Sequence, residues 1–455
     1  MLYQSTRGEA PDLGFEDVLL TGLARDGGLY VPSRWPQISL RSLRGATYEE
    51  VAFTVLHPFI GGAVSDPDLK TMLGEAYGAF GHPAVCPLKQ LDDNHWLLEL
   101  FHGPTLAFKD VAMQLLARLM DHALARRGTR ATIVGATSGD TGGAAIEAFK
   151  SSRHASLFIL HPHGRVSDVQ RRQMTTVDSA SVHNIALQGN FDDCQAIVKA
   201  LFNDLAFRDE VNLAGVNSIN WARIMAQVVY YVTACLALAG PVSFCVPTGN
   251  FGDIFAGLVA KRMGLPIDRL VIATNVNDIL DRTLKTGRYD VTGVRPSSSP
   301  SMDIQVSSNF ERLLFETHGR DAGAVRRMMA SLGQSGSFHI DDRALQALRH
   351  EFDSGAANEA ETAATIRETL AATGELLDPH TAVGYAVARQ QPVSANPMVT
   401  LATAHPAKFP DAVEKASGIR PALPPRLAHL LNAKERFTVL PNDIKAVREF
   451  ILNER

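Results

Sequence analysis

Residues 131–149 read ATIVGATSGDTGGAAIEAF. Ala131 to Ala136 is a short, mostly apolar run of the kind that forms a strand covered on both faces. Thr137 to Gly143 is a turn rich in glycine and hydroxyls, and the helical pattern that follows runs to Phe149. The same order returns downstream, where Val242 to Pro247 leads through Thr248-Gly249-Asn250-Phe251-Gly252-Asp253 into a helix with Ile254, Phe255, Leu258 and Val259 on one face, ending near Gly264. Further strand candidates are Leu157 to His161, Val182 to Leu187, Leu270 to Thr274 and Met398 to Thr403. Short β-branched runs alternating with longer 3.6-period segments define an α/β fold, with open, mostly parallel sheets flanked by helices.

Around these units the chain divides unevenly. Residues 1–90 carry fewer strand signals and several turns, including Asp26-Gly27-Gly28, and read as an N-terminal subdomain. Residues 91–455 form the α/β region, with a smaller lobe over about 112–215 and a larger one over 91–111 and 216–455. An insertion occupies about 290–370; it opens with DVTGVRPSSSPSMDIQVSS, read as a loop with flexible serines, and continues as a helical segment to about His350. Val111, Leu115, Leu116, Leu119, Met120 and Leu124 share a helix face before a stop at Gly128, and Asp378-Pro379 marks another helix start.

Composition removes several functions. With 44 Lys+Arg against 48 Asp+Glu the formal charge is −4, and no basic block stands out, so neither nucleic acid nor an anionic membrane is an expected partner. Cys86, Cys194, Cys235 and Cys245 are too scattered for a Cys-x-x-Cys site and too few for a disulfide framework. The N-terminus turns polar at once, unlike a signal peptide. The greasiest stretch, Val228 to Ala239, is shorter than the roughly 20 residues that span a bilayer. The expected location is the cytoplasm. His154, His161 and His163 lack fitting partners, so no metal is expected.

Three features can carry chemistry. The turns at 137–143 and 247–253 lie between strand and helix, where open α/β sheets bind ligands. Their amides and the helix dipoles suit an anion, and Gly249 and Gly252 would allow positive φ in a nest around a phosphate. A purely structural turn fits the spacing as well. Neither turn matches Gly-x-Gly-x-x-Gly or Gly-x4-Gly-Lys-Ser/Thr, which removes the usual warrants for NAD and ATP. The third feature is Lys109, set among Leu106, Phe108 and Val111 at the start of a helix. Desolvation there favours a neutral, nucleophilic amine suited to Schiff-base chemistry, while a snorkelling lysine that reaches water is the alternative.

Taken together, HGPTLAFKD (102–110), ATSGDTGGAA (136–145), PTGNFGD (247–253) and LATAHPAKF (401–409), with YQSTRG, ARDGGLYVP and MDIQVSSNFER in the expected order, resemble the threonine synthases, pyridoxal-phosphate enzymes of the tryptophan-synthase β-subunit fold type, fold type II. The resemblance covers nearly the whole chain. It implies that Lys109 forms the Schiff base with pyridoxal 5'-phosphate, that Gly249, Asn250, Phe251, Gly252 and Asp253 hold the cofactor phosphate, with Asp253 also helping to cap its helix, and that Thr403 stands by the pyridine nitrogen. Asp140 occupies a position where relatives acting on other amino acids often carry Asn, beside the cofactor ring. Thr137, Ser138, Gly139 and Thr141 are expected at the substrate carboxylate, and Ser218, Asn220 and Arg223, with Thr141, at the substrate phosphate. The implied reaction turns O-phospho-L-homoserine and water into L-threonine and phosphate. A phospholyase or dehydratase, or a non-catalytic protein of the same fold, is the alternative, and monomer and homodimer stay open.

Overall fold

Two large sheets flanked by helices make up most of the computed structural model, which describes residues 1–455. The larger sheet has six strands in the order Phe352–Ala356, Ile267–Thr274, Val242–Pro247, Met398–Ala402, His95–Glu99 and Leu88–Gln90. All neighbours are parallel except the last pair. The smaller sheet has five parallel strands in the order Thr438–Pro441, Val182–Gln188, Ala155–Pro162, Ala131–Ala136 and Leu213–Ala214. The strands at 131–136 and 242–247 have the bounds read from the sequence, and their interiors are buried, as an apolar run between two helical layers requires.

Helix Lys109–Arg127 ends where Gly128 adopts the left-handed conformation at φ 63°, and its Val111, Leu115, Leu116, Leu119, Met120 and Leu124 are all buried. It packs against Asp66–Tyr77, Asp140–Phe149 and Trp221–Leu238. The last of these is long and apolar enough to cross a membrane by length and composition, but it is buried in the core, touching Tyr48–Ile60 on one side and Gly252–Arg262 on another. Each large side chain it buries contributes about 1.5–3 kcal/mol. Residues before 90 share this apolar cluster: Tyr3, Val51, Leu56, Phe59 and Tyr77 lie in it with Trp221 and Val229.

Two elements depart from the sequence reading. The C-terminal strand Thr438–Pro441 and helix Ile444–Glu454 belong to the smaller sheet, where Val447 and Ile451 join Phe158, Leu187 and Phe207; the strand is four residues long and its partner lies far upstream, so no local pattern marks it. The region read as an insertion supplies the edge strand Phe352–Ala356 of the larger sheet, preceded by helices Phe310–Thr317, Ala322–Ser335 and Asp342–Glu351. Its Ser/Pro-rich loop is largely irregular, as expected, but Ser299 is fully buried and Ser301 half-buried: the loop folds inward, with Asn275 donating to the Ser297 and Ser299 hydroxyls.

Candidate active site

A cavity of about 280 Å³ opens where Ala136, Pro247 and Thr403 leave their strands, and Lys109 lines it. The chain reaches Lys109 through Leu106 at φ 62° and is pinned to the strand exit by the Phe108 N–H donating to Thr403 O at 2.9 Å. One residue on, the buried Asp110 carboxylate takes the Thr105 N–H and hydroxyl at 2.7 and 2.6 Å, locking the turn. Lys109 is therefore the first residue of its helix with little freedom. Its Nζ lies 3.1 Å from Asp140 Oδ2 and 3.1 Å from Ser301 Oγ, and the Ser301 hydroxyl donates to Asp140 Oδ2 at 3.0 Å. Burial lowers the Lys109 pKa from its ordinary value, outweighing the pull of Asp140. Burial pushes Asp140 the other way, but Lys109, then Lys408 and His380, overcome it and hold the carboxyl well below the usual range.

The turn at 249–253 presents amides rather than side chains. No N–H from Gly249 to Ile254 finds an acceptor in the protein, whereas its carbonyls are tied back: Gly249 O accepts from Ser307 Oγ at 2.7 Å, and Asn250 O from Asn309 N and Nδ2 at 3.0 and 2.9 Å. The left-handed residue is not Gly249 or Gly252, as read from the sequence, but Phe251 at φ 62°. Its ring, packed between Phe310 and Phe352, offsets a strain of roughly 1–2 kcal/mol. Gly249 is needed for closeness: a Cβ there would stand 2.6 Å from Ser301 O. Asp253 corrects a second expectation. Its side chain does not cap the helix; it accepts from the Tyr230 and Tyr231 hydroxyls, and burial raises its pKa to about 7. Only its backbone is placed to hold an anion.

Gly249→Ala should force the turn open at a strain of about 1–3 kcal/mol and weaken binding of the pyridoxal phosphate that the family resemblance implies roughly tenfold or more. An absorbance titration checks this, and unchanged affinity would contradict the amide cradle.

A second anion-binding feature faces the same space. Arg223 is buried in the first turn of helix Trp221–Leu238; its one hydrogen bond, to Val216 O, is 3.4 Å long, and its Nε has no partner. Burial lowers its pKa to about 10, which still leaves it charged at neutral pH, with no carboxylate paired to it. Thr141, Ser218, Asn217 and Gln227 line the cavity beside it.

Asn220 does not line it. Its Oδ1 accepts from Ala222 N at 3.0 Å as the helix cap, and its Nδ2 donates to Leu19 O at 2.9 Å, so both ends of the amide are used. Asn217, three residues earlier, lines the cavity in its place. In the 137–141 turn, Thr137 Oγ1 accepts from Gly139 N and Gly142 N, which makes Thr137 a structural residue; Ser138 is exposed, and Gly139, at φ 141°, lies against Gln170. The N–H groups of Asp140 and Thr141 have no protein acceptor.

Ser301, His380 and Lys408 escaped the sequence reading, whereas Thr403 stands where expected beside the cavity. Ser301 was read as a flexible-loop serine. The Ser301 N–H donates to His380 Nε2 at 3.2 Å, leaving the ring proton on Nδ1 to be donated to Asp378 Oδ1 at 2.8 Å. Lys408 is fully buried with Nζ 3.0 Å from Asp140 Oδ1; its signal was a lysine in the apolar stretch ending LATAHPAKF, the same signal that singled out Lys109. Thr403 lines the cavity, and its hydroxyl has no protein partner.

A phosphorylated aldehyde fits this arrangement: unpartnered amides and a helix N-terminus for the phosphate, a neutral-leaning amine for the aldehyde, and a free hydroxyl for a ring nitrogen. Fold and site define a pyridoxal-phosphate-dependent enzyme, and residues 83–404 match the family described as "Pyridoxal-phosphate dependent enzyme". Residues 2–77 and 381–451 match the threonine synthase N-terminal and C-terminal families. Threonine synthase of Pseudomonas aeruginosa is 56% identical over 99% of this chain and 98% of its own length. The crystal structure of pyridoxal-phosphate-bound threonine synthase from Brucella melitensis superposes with a TM-score of 0.98 at 62% identity, covering 100% of this chain and 99% of that one. The yeast threonine synthase structure gives 0.95 at 39% identity, with 100% and 98% covered. The chain belongs to the threonine synthase family.

Proposed function

We propose that the protein converts O-phospho-L-homoserine and water into L-threonine and phosphate in threonine biosynthesis. One observation carries the substrate reading. The cavity holds two anion-binding features around a single amine: the amides of 249–254, and the unpaired Arg223 with Ser218, Asn217 and Thr141. A reaction between a resident cofactor phosphate and a phosphorylated substrate needs both, one held permanently and one releasing its phosphate as the leaving group.

Lys109 would be the amine that links to the cofactor, the 249–254 amides would hold its phosphate, and Asp140 and Thr403 would line the space beside its ring. Bound pyridoxal phosphate supplies an electron-withdrawing ring that acidifies the hydrogens of an amino acid joined to it. Thr403 would offer a ring nitrogen a hydroxyl, which, unlike a carboxylate, does not stabilise a charged pyridinium. The substrate carboxylate falls to the Asp140 and Thr141 amides at the start of helix Asp140–Phe149. Lys109 Nζ takes the proton from Cα and carries protons within the cavity, held on line by Asp140 and Ser301. Arg223 binds the phosphate on Cγ through its planar fork and lets it go once the bond breaks. The four cysteines are free buried thiols, which supports a cytoplasmic location.

The test is product analysis. The purified protein, loaded with pyridoxal phosphate and given O-phospho-L-homoserine, should release threonine and phosphate in equal amounts. If 2-oxobutyrate accompanied the phosphate as the main product, the enzyme would eliminate without directing water to Cβ, and the synthase reading would fall.

A further inference from the structure

Asp140 carries one negative charge and meets two ammonium groups, Lys109 at Oδ2 and Lys408 at Oδ1. The two are not equivalent. Lys408 is fully buried; its Nζ donates to Thr105 O at 2.7 Å and Gln173 Oε1 at 3.1 Å and forms an ion pair with Asp140 Oδ1 at 3.0 Å. Three oxygens thus surround this ammonium. Lys109 has only Asp140 Oδ2, which also accepts from Ser301, and the Ser301 oxygen itself. A single carboxylate cannot compensate two buried cations, and the less satisfied one gives up its proton.

We propose that Lys408 is a positioning residue for the reaction: set against Asp140 Oδ1, it claims the charge of that carboxylate, so that Lys109 stands as an uncharged amine able to attack the cofactor aldehyde and accept the substrate proton. The proton lost from Lys109 passes to solvent, and no other bond changes. The proposal rests on Lys109 being the cofactor lysine. The charged and titratable groups facing Lys109 act in one sense or are already occupied. Arg223, from helix Trp221–Leu238, adds positive charge; His380, from Pro379–Gln390, is hydrogen-bonded to Asp378 and Ser301; Asp110, on the lysine's own helix, spends its carboxylate on Thr105. Lys408 thus adds to burial in opposing the pull of Asp140 on Lys109.

The test labels the full-length, cofactor-free chain with trace acetic anhydride from about pH 6 to about pH 11 and follows acetylation of Lys109 by mass spectrometry, with the fold checked by circular dichroism. In the unsubstituted chain the midpoint should fall below the ordinary lysine value of about 10.4. Lys408→Met leaves Asp140 to Lys109 alone and should raise the midpoint by about one unit or more, a tenfold change in the amine-to-ammonium ratio. Asp140→Asn removes the only anion and should lower it, and Lys408→Arg should stay near the unsubstituted value. Opposite shifts are the signature, because mere loosening of the site would move both midpoints up toward the ordinary lysine value. An upward or absent shift in Asp140→Asn overturns the proposal, also where Lys408→Met does not fold; so does an unmoved midpoint in a folded Lys408→Met. Cofactor attached to another lysine in the unsubstituted chain would instead overturn the function proposed above and leave the labelling result standing.

Discussion

Lys109→Ala is expected to cut kcat by at least about 10³-fold, because positioned acid–base transfer alone is worth roughly 10²–10⁴-fold and the covalent tie to the cofactor goes with it. The fold should survive. Asp140 would lose one hydrogen-bond donor but keep Lys408 at 3.0 Å and Gln170 at 2.9 Å, so no buried carboxylate is orphaned. The 249–254 amides should still retain pyridoxal phosphate, now without a covalent link. Steady-state kinetics and the visible absorbance of the loaded variant check both halves; activity within tenfold of the unsubstituted enzyme would remove Lys109 from the chemistry.

Arg223→Gln should separate binding from stability in an unusual direction. Charge-assisted hydrogen bonds are worth about 1.5–3 kcal/mol each, so losing a two-pronged grip on the substrate phosphate should lower kcat/KM by about 10²–10⁴-fold, mostly through KM. Yet the ligand-free protein should melt no lower than before. Arg223 is buried with no carboxylate partner and an unsatisfied Nε, so its removal leaves no counter-charge behind and relieves a desolvation cost. Substrate kinetics paired with a thermal melt decide it. An unchanged KM would place the substrate phosphate elsewhere, and a large drop in the melting temperature would make the arginine a structural strut.

The pattern of success and failure in reading the sequence has a physical basis. Strands such as Ala131–Ala136 and Val242–Pro247 were legible because a parallel strand buried on both faces must be a short apolar run, and helix Lys109–Arg127 because its apolar positions repeat until Gly128 stops it. Lys109 and the turn at 249–253 stood out as a lysine in apolar company and glycines between strand and helix, but a snorkelling lysine and a structural turn fit those patterns as well, and the family resemblance decided between them. The role of Asn220 was misassigned because a helix cap and an anion ligand look alike in sequence; the structure spends that amide on Ala222 and Leu19 and brings Asn217 to the cavity. Ser301 was missed for the opposite reason. A Ser/Pro-rich loop carries no periodicity, and only the contact with Gly249 shows that it folds into the site. The strand Thr438–Pro441 is defined by its pairing with Val182–Gln188, a non-local fact that four residues cannot announce.

The identity of the cofactor-bearing amine bears most directly on all of these roles. Borohydride reduction of the enzyme loaded with pyridoxal phosphate, followed by digestion and peptide mapping, should yield one phosphopyridoxyl peptide, modified at Lys109. A label on Lys408, or on any other lysine, with Lys109 unmodified would contradict it.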